Sequence, residues 1–470
     1  MSTLVLLSLL GFLILFLGAF NQKKLLLPVA ITGLIAAFIL NALDWNRVDH
    51  AWFGMMSYDN YAVSFTGLMI FSTLLIMGVA SFHFRKESSH IADIYSLMIF
   101  VLTGALVMTS FSSLVMLFIG IEILSIALYI LAGSRRLSLA SNEASLKYFL
   151  MGAFASAFLL FGITLIFGVT NSFDLAAISD YVNNTDNDSI PPIFNTGVIL
   201  ILIGFAFKIG VVPFHFWTPD VYQGSPTLIS AFMATVVKTA GIAAFYRLFD
   251  TCFSSIDSRW FQVLWILCVA TILLGNISAV MQHEAKRMLA WSSVAHAGYL
   301  LLPMLALNEL SSSAIFYYTA AYSVASITVF AIVMALSEVE NDLPIDRFKG
   351  LARNNPLMTT ALIVSMFSLA GIPPLAGFFG KYFVFVNALE SNLIYLVVAA
   401  VIGSLIGIYY YFRPVIYAFS TEVPPINRIE TNLAFNFVLM TGIFLTLLFG
   451  IFPDLITALP GAPDLVSTAP

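Results

Sequence analysis

The chain has 470 residues, of which 60% are hydrophobic and only 10% charged, with a mean hydropathy of +0.96. A water-soluble domain carries roughly 25% charged residues, so a core this apolar has too few charges to cover it, and a soluble enzyme is excluded. The net charge of −5 points to no particular partner, and no basic patch suggests nucleic acid. The two cysteines, Cys252 and Cys268, are too few to ligate an iron–sulfur cluster or to set a disulfide framework.

A helix needs about 20 mostly apolar residues to span a bilayer. Uninterrupted apolar stretches place spans at about 4–20, 25–43, 61–82, 91–109, 111–132, 144–169, 195–221, 227–250, 260–280, 288–307, 313–337, 356–391, 393–417 and 432–458. The chain therefore reads as an all-α polytopic membrane protein with about 14 transmembrane helices. A transmembrane barrel is excluded, because the apolar runs are long and do not alternate in and out. The first run lacks the basic start and small-residue cleavage site of a signal peptide, and it is kept as a span.

Basic residues in the connecting segments sort by side. After odd-numbered spans come Lys23, Lys24, Arg85, Lys86, Arg135, Arg136, Lys286, Arg287, Arg347, Lys349, Arg353, Arg413 and Arg428; after even-numbered spans come only Arg47, Arg247 and Arg259. This asymmetry puts the first set in the cytoplasm and both termini on the non-cytoplasmic side. The acidic segment Asp174–Asp188 then also lies outside. Its Asn183-Asn184-Thr185 sequon would matter only in a eukaryotic secretory pathway.

Outside that census, the other four basic residues, Lys147, Lys208, Lys238 and Lys381, fall within spans, and of the 25 acids one, Glu122, lies deep in a span. A charge at the bilayer centre costs at least ~2.5–3.5 kcal/mol, so such residues usually face a bundle interior and mark an ion or proton path. Snorkelling near a helix end is the alternative. It carries most weight for Lys147, which sits about one turn inside its helix, four residues after Glu143, as an ordinary helical ion pair would. Glu122, Lys208 and Lys381 have long apolar flanks on both sides, and Lys238 is nearly as deep. Burial favours the neutral form of an ionisable group and an opposite charge favours the ionised one. A row of such groups can therefore hold or release a proton when a neighbour changes state.

Two of these residues sit at breaks. Lys208 lies in Gly204-Phe-Ala-Phe-Lys208-Ile-Gly210-Val-Val-Pro213, and Lys381 follows Gly371-Ile-Pro373-Pro374-Leu-Ala-Gly377-Phe-Phe-Gly380. Proline removes a backbone donor, which at membrane depth is tolerated where the freed groups line a cavity. Paired interrupted helices point to an inverted repeat with a site near the midplane; incidental Gly and Pro, frequent in membrane helices, are the alternative. The organisation expected is three N-terminal helices in 1–90, a first five-helix repeat in 91–250, a second inverted one in 260–417, and a last helix in 432–458, with helices 7 and 12 broken. His296 is the one histidine inside a span; it suits proton transfer and equally a packed, hydrogen-bonded role. His215, near a helix end, reads as structural or interfacial. There is no metal motif, phosphate-binding glycine loop or catalytic triad.

Three stretches carry a resemblance. The first is Ile121-Glu122-Ile-Leu-Ser-Ile-Ala-Leu-Tyr129 through Arg136, continuing from Glu143 through Lys147 to Gly152. The second is Phe207-Lys208-Ile-Gly-Val-Val-Pro213-Phe-His215-Phe-Trp217-Thr-Pro219-Asp220-Val-Tyr222 with the helix of Lys238. The third is Arg287-Met-Leu-Ala-Trp-Ser-Ser-Val-Ala-His296-Ala-Gly-Tyr299 together with Gly371–Lys381. Over nearly its whole length the chain resembles the antiporter-like membrane subunits of respiratory complex I, NADH-quinone oxidoreductase, and among them the subunit N type. Lysine at 381 leans towards the N or L type, and the ending after Leu459-Pro-Gly-Ala-Pro-Asp464, without the long lateral C-terminal helix of the L type, favours N.

The resemblance implies fourteen helices in two inverted repeats within the membrane arm of a large complex. By motif position, Glu122 looks like the fifth-helix glutamate and Lys147 like the sixth-helix lysine. Lys208 looks like the lysine of the broken seventh helix, Lys238 its eighth-helix partner, His296 the tenth-helix link between the halves and Lys381 the twelfth-helix lysine. The expected function is that of a proton-translocating, non-redox subunit of the oxidoreductase. Quinone reduction in partner subunits would alter the Glu122–Lys208 pairing, and the proton would pass through Lys238 and His296 to Lys381 and outward. No cofactor is expected in this chain; FMN, iron–sulfur clusters and quinone belong to partner subunits. The partners are neighbouring antiporter-like and small membrane subunits and the lipid bilayer, in a bacterial inner (plasma) membrane. The alternative is a subunit of a multi-subunit cation/proton antiporter or membrane-bound hydrogenase, which are similar in sequence.

Overall fold

The computed structural model describes residues 2–47, 49–51, 54–83, 90–186, 189–337, 343–421 and 426–461. Arg85, Lys86, Asp188 and Asp464, used above, lie outside the described residues. The chain runs through α1 (Ser2–Ala19), α2 (Lys23–Leu43), α3 (Asn60–His83), α4 (Ile91–Ser110), α5 (Leu114–Ala132), α6 (Leu139–Thr170), α7 (Leu175–Asn184), α8 (Pro192–Ile209), α9 (Trp217–Gly224), α10 (Thr227–Phe232) and α11 (Lys238–Cys252). It continues through α12 (Asp257–Val280), α13 (Ala285–Ala306), α14 (Ser311–Leu336), α15 (Leu351–Asn354), α16 (Pro356–Ala370), α17 (Ala376–Glu390), α18 (Ile394–Ala418), α19 (Leu433–Ile451) and α20 (Asp454–Thr457). Between α2 and α3 a short antiparallel hairpin, β1 (Asp49–Ala51) with β2 (Met56–Tyr58), pairs Asp49 with Tyr58. The hydropathy reading, which sees only long apolar runs, gave no sign of it.

Thirteen helical segments are long and apolar enough to cross a membrane, which makes the chain a multi-pass membrane protein. The twelfth expected span is present as two short helices, α16 and α17, separated by Gly371–Leu375. The continuous segment of α10 and α11, together with α13 and α14, is buried on nearly all sides. Outer helices keep open apolar faces, as with Phe12 and Phe16 on α1 or Phe154, Phe158 and Phe161 on α6. A helix apolar all round is stable where other helices or lipid surround it. Helix α14 packs on α16, α17, α10 and α3, and α9 packs on both α6 and α13, so the two halves of the chain meet along α9–α11, α13 and α14.

Both breaks have the same local geometry. Helix α8 ends at Gly210 (φ +78°) and α16 at Gly371 (φ +87°), in the left-handed region that glycine enters without steric cost. In each, the next amide reaches back over the turn, Val211 N–H to Ala206 O at 2.8 Å and Ile372 N–H to Phe367 O at 3.0 Å, a common way to close a helix C-terminus. Pro213 and Pro373-Pro374 then prevent continuation. A side chain from the following helix caps one freed carbonyl in each break: Trp217 Nε1–H donates to Phe207 O at 3.1 Å, and Lys381 Nζ to Ala370 O at 2.9 Å.

Arg247, counted above as a loop residue, instead lies inside α11 and is 1% exposed. Its guanidinium binds both oxygens of Asp59, at 2.7 and 3.1 Å, and the carbonyls of Thr109 and Phe111. An arginine paired with a carboxylate and hydrogen-bonded to carbonyls can be buried near a helix end. Its removal from the loop census leaves the charge asymmetry larger.

Candidate proton-path site

Glu122 sits on α5 half-buried, where it accepts a hydrogen bond from Ser156 Oγ–H of α6 at 2.5 Å. Lys208, at the C-terminal turn of α8, is buried and donates to Ser125 Oγ at 2.7 Å. Ser125 lies one helical turn after Glu122 and donates in turn to Ile121 O at 2.5 Å. Among the described residues, Glu122 and Lys208 thus form no direct ion pair; a serine stands between lysine and glutamate helix. A cation at a helix C-terminus is favoured by the helix dipole, which helps to hold Lys208 there.

Lys238 begins α11 directly after a π-helical turn, Met233–Val237. Such turns interrupt the helix register and are frequent at functional positions. Here Lys238 reaches α13, donating to the carbonyl of Ser293 and to Ser293 Oγ. Gly241, three residues on, faces the stem of Lys208: a β-carbon there would stand 3.6 Å from Lys208 Cγ. The two lysines therefore occupy neighbouring positions on one buried seam.

His296, one turn after Ser293 on α13, is buried with both ring nitrogens engaged, Nδ1 with Tyr318 Oη at 2.7 Å and Nε2 with Tyr411 Oη at 2.8 Å. Tyr411 Oη also meets Ser292 Oγ at 2.5 Å. A cavity of about 10 Å³, the lower limit for one water, is lined by His296, Tyr318, Tyr322, Ser368 and Lys381. Lys381 Nζ, held on Ala370 O, lies 5.2 Å from the centre of the Tyr299 ring, a favourable cation–π position. Lys238, His296 and Lys381 are thus gathered into one buried polar row.

Lys147 stands apart from that row. It is partly exposed and pairs with Glu143 Oε1 at 2.7 Å and Asp220 Oδ2 at 2.8 Å. Asp220 binds Arg287 through its other oxygen at 2.9 Å. Sequence reasoning quoted Asp220 and Arg287 without assigning them a role, and it missed Ser125, Ser293, Tyr318 and Tyr411. Hydropathy flags a charge within an apolar run, but a hydroxyl or a charge at a helix end gives no such signal. His215 is buried against Trp291, with ring centres 5.0 Å apart. Among the described residues, no group of three or more His, Cys, Asp or Glu side chains gathers as a metal site would need.

Comparisons with known proteins give the chain's family. The chain is 41% identical over 460 residues to the NADH-quinone oxidoreductase subunit N of Cytophaga hutchinsonii, covering 97% of this chain and 98% of that one. It is 39% identical to the subunit N of Flavobacterium psychrophilum, covering 98% and 100%. A chain of respiratory complex I from Thermus thermophilus superimposes with a TM-score of 0.84 at 31% identity, covering 98% of this chain and 100% of that one. A chain of the Mrp complex from Dietzia superimposes at 0.86 with 21% identity, covering 98% and 96%, a likeness of fold. Residues 111–407 match the family described as NADH:quinone oxidoreductase/Mrp antiporter, TM. The chain therefore belongs to the NADH:quinone oxidoreductase/Mrp antiporter membrane family, within its group of NADH-quinone oxidoreductase N subunits.

Proposed function

We propose that this chain is a proton-translocating subunit in the membrane arm of a bacterial NADH-quinone oxidoreductase and carries no redox cofactor itself. One observation carries the reading: three lysines buried at helix breaks or a register shift, and a histidine buried in the middle of α13, are each hydrogen-bonded to a neutral group rather than to a carboxylate. An ammonium solvated only by hydroxyls and carbonyls is held by dipoles, so loss or gain of a proton leaves no buried counter-charge stranded. Apolar side chains would have inserted at lower cost. Full-length identity to N subunits, against a likeness of fold alone to the Mrp complex, favours the oxidoreductase over a cation/proton antiporter or hydrogenase.

In this reading the first half takes up a proton at Lys208 and Lys238 and the second half releases it from Lys381, with His296 joining them through Tyr318. The chain forms two inverted five-helix repeats, α4–α11 and α12–α18, and spans the membrane fourteen times when α16 and α17 are taken as one broken span. Both termini face away from the cytoplasm. FMN, iron–sulfur clusters and quinone reside in partner subunits. Quinone reduction there shifts the charge around Glu122, and Ser125 passes the change to Lys208. Moving one charge against 100 mV costs about 2.3 kcal/mol, comparable to a change of two units or less in a lysine's proton affinity at ~1.36 kcal/mol per unit.

Glu122 also bears on the partners. It is half-buried, between Ile119, Ile123 and Ile126, which are exposed on the same helix. A carboxylate at membrane depth faces protein rather than lipid, so a neighbouring membrane subunit covers this side of α5. Purification of the native assembly in mild detergent, with mass spectrometry of its components, tests the reading. Co-purifying flavin and iron–sulfur subunits that oxidise NADH are expected; small hydrophobic antiporter partners alone would contradict it.

A further inference from the structure

Aligned on their left-handed glycines, the two breaks differ at one position. Gly210 is followed by Val211, Val212 and Pro213, and Gly371 by Ile372, Pro373 and Pro374. The first residue after each glycine turns its amide back into the helix that has just ended. The second is proline in the later break, with no amide to satisfy, and valine in the earlier one. Val212 is buried, and a buried backbone N–H without an acceptor is rare and costly. Its acceptor comes from the other half of the chain: Val212 N–H donates to Thr271 Oγ1 of α12 at 3.0 Å.

Thr271 is wholly buried and gives its own hydroxyl proton to Leu267 O, one turn earlier, at 2.5 Å, which leaves a lone pair of the oxygen for the Val212 amide. The helix around it is locked to α13. An added β-carbon on Gly275 would stand 2.7 Å from the backbone nitrogen of Ala295, and one on Gly298 would stand 2.8 Å from that of Ile272 and 3.2 Å from Thr271 Cβ. Cys268 Sγ–H donates to Gly298 O at 3.3 Å. Thr271 therefore belongs to the same closely packed helix pair as Ser293, the acceptor of Lys238, and His296. On the other side, Val212 follows Lys208 by four residues, and Ile209 Cγ2 would lie 2.9 Å from a β-carbon on Gly241 of α11. One hydrogen bond thus ties the turn after Lys208 to the helix pair that holds Lys238. The side-chain hydrogen bonds of the second break, Lys381 to Ala370 O and Gly377 N–H to Ser368 Oγ at 3.0 Å, join only α16 and α17.

We propose that Thr271 is a positioning residue for proton transfer between Lys208 and Lys238, its hydroxyl clamping the end of α8 to the α12–α13 pair so that the two lysines keep a fixed separation. The role rests on the proton-translocating reading above. Thr271 exchanges no proton with the path: its hydroxyl proton stays on Leu267 O, and its oxygen only accepts. Without the clamp the turn Gly210–Pro213 is free to swing, and Lys208 shifts relative to Lys238 and its acceptor on α13. Misplacing reacting groups by about 1 Å can slow a transfer on the order of a hundredfold, so a hydroxyl remote from both amines controls the step.

The test compares two variants in the assembled complex: Thr271→Val, which keeps size and branching but removes the hydroxyl, and Thr271→Ser, which keeps the hydroxyl. NADH-driven proton translocation by inside-out vesicles should fall severalfold with valine and stay near the parent's rate with serine. Subunit content and NADH oxidation by an artificial acceptor should match the parent's in both. Amide hydrogen exchange of the peptide containing Val212, followed by mass spectrometry, should quicken severalfold with valine and not with serine. Translocation at the parent's rate with valine, a serine variant as slow as the valine one, or unchanged exchange would each overturn the role. Thr271→Ala is read in place of valine if valine fails to assemble; loss of the subunit from the membrane in both would make Thr271 a folding residue and overturn the role too. Lys208→Ala, measured alongside, separates the two readings. If it translocates normally the proton-translocating reading fails, and if it does not while Thr271→Val does, only the role of Thr271 fails.

Discussion

Lys208 Nζ donates to Ser125 Oγ at 2.7 Å, one helical turn from Glu122, so the lysine reaches the glutamate's helix without touching the glutamate. The serine hydroxyl accepts from the ammonium and donates to the backbone, and it cannot carry a fixed charge of its own. Any change in charge at Glu122 therefore reaches Lys208 as a field across one turn of helix. The lysine need not break a salt bridge to respond.

Ser125→Ala leaves the buried ammonium of Lys208 short of an acceptor, which costs about 1–3 kcal/mol for a buried group. Lys208 should then lose its preference for the α5 side, and NADH-driven proton translocation in membrane vesicles should fall by roughly tenfold for each 1.4 kcal/mol by which the transfer step is slowed. Ser125→Thr, which keeps the hydroxyl, should recover most of the rate. Equal rates for the alanine and threonine variants would remove Ser125 from the path.

Tyr318 and Tyr411 flank His296 on opposite nitrogens, but only Tyr318 also lines the cavity shared with Lys381. Tyr318→Phe should therefore depress proton translocation more than Tyr411→Phe, although both remove one buried hydrogen bond of about 1 kcal/mol net. Vesicle acidification per NADH oxidised gives the comparison. The reverse order would place the transfer from His296 on the Tyr411 side.

At the second break, an added β-carbon on Gly371 would lie 2.9 Å from Lys381 Cδ, at a φ of +87°. Gly371→Ala combines that clash with a left-handed backbone penalty of about 1–2 kcal/mol. Lys381 should be pushed off Ala370 O, and translocation should fall while the subunit still assembles. Unchanged translocation in an assembled variant would show that the position of Lys381 is not critical.

The Asp59–Arg247 pair is almost wholly buried, and removing one partner strands the other's charge at about 3–5 kcal/mol. Asp59→Asn and Arg247→Met should each lower the amount of subunit in the membrane and the denaturation temperature of the assembly. The double variant Asp59→Asn with Arg247→Met should lose less than the two single losses combined. Additive losses would mean the two side chains act independently.

Much of this was legible in the sequence, because a bilayer makes charge conspicuous. Lys208, Lys238, Lys381 and Glu122 stand out in apolar runs, and Gly210-Val-Val-Pro213 and Gly371-Ile-Pro373-Pro374 announce where the helices stop. The partners of those charges could not be read. Ser125 meets Lys208 across 83 residues of chain and Arg247 meets Asp59 across 188, and serines and helix-end charges are commonplace in composition. The π-helical turn before Lys238 is equally silent, since Met-Ala-Thr-Val-Val at Met233–Val237 holds no glycine, proline or charge to mark it. Asp220 was hidden by its position at the edge of a span, where a charge ordinarily means only solvent.

The most direct measurement is NADH-driven proton translocation by inside-out vesicles carrying the assembled complex with Lys208→Ala. NADH oxidation by an artificial acceptor provides an internal control, because in the proposed reading this chain takes no part in it. Loss of translocation with that partial reaction intact is expected. A variant that translocates protons at the parent's rate and yield would contradict a proton path through the buried lysines.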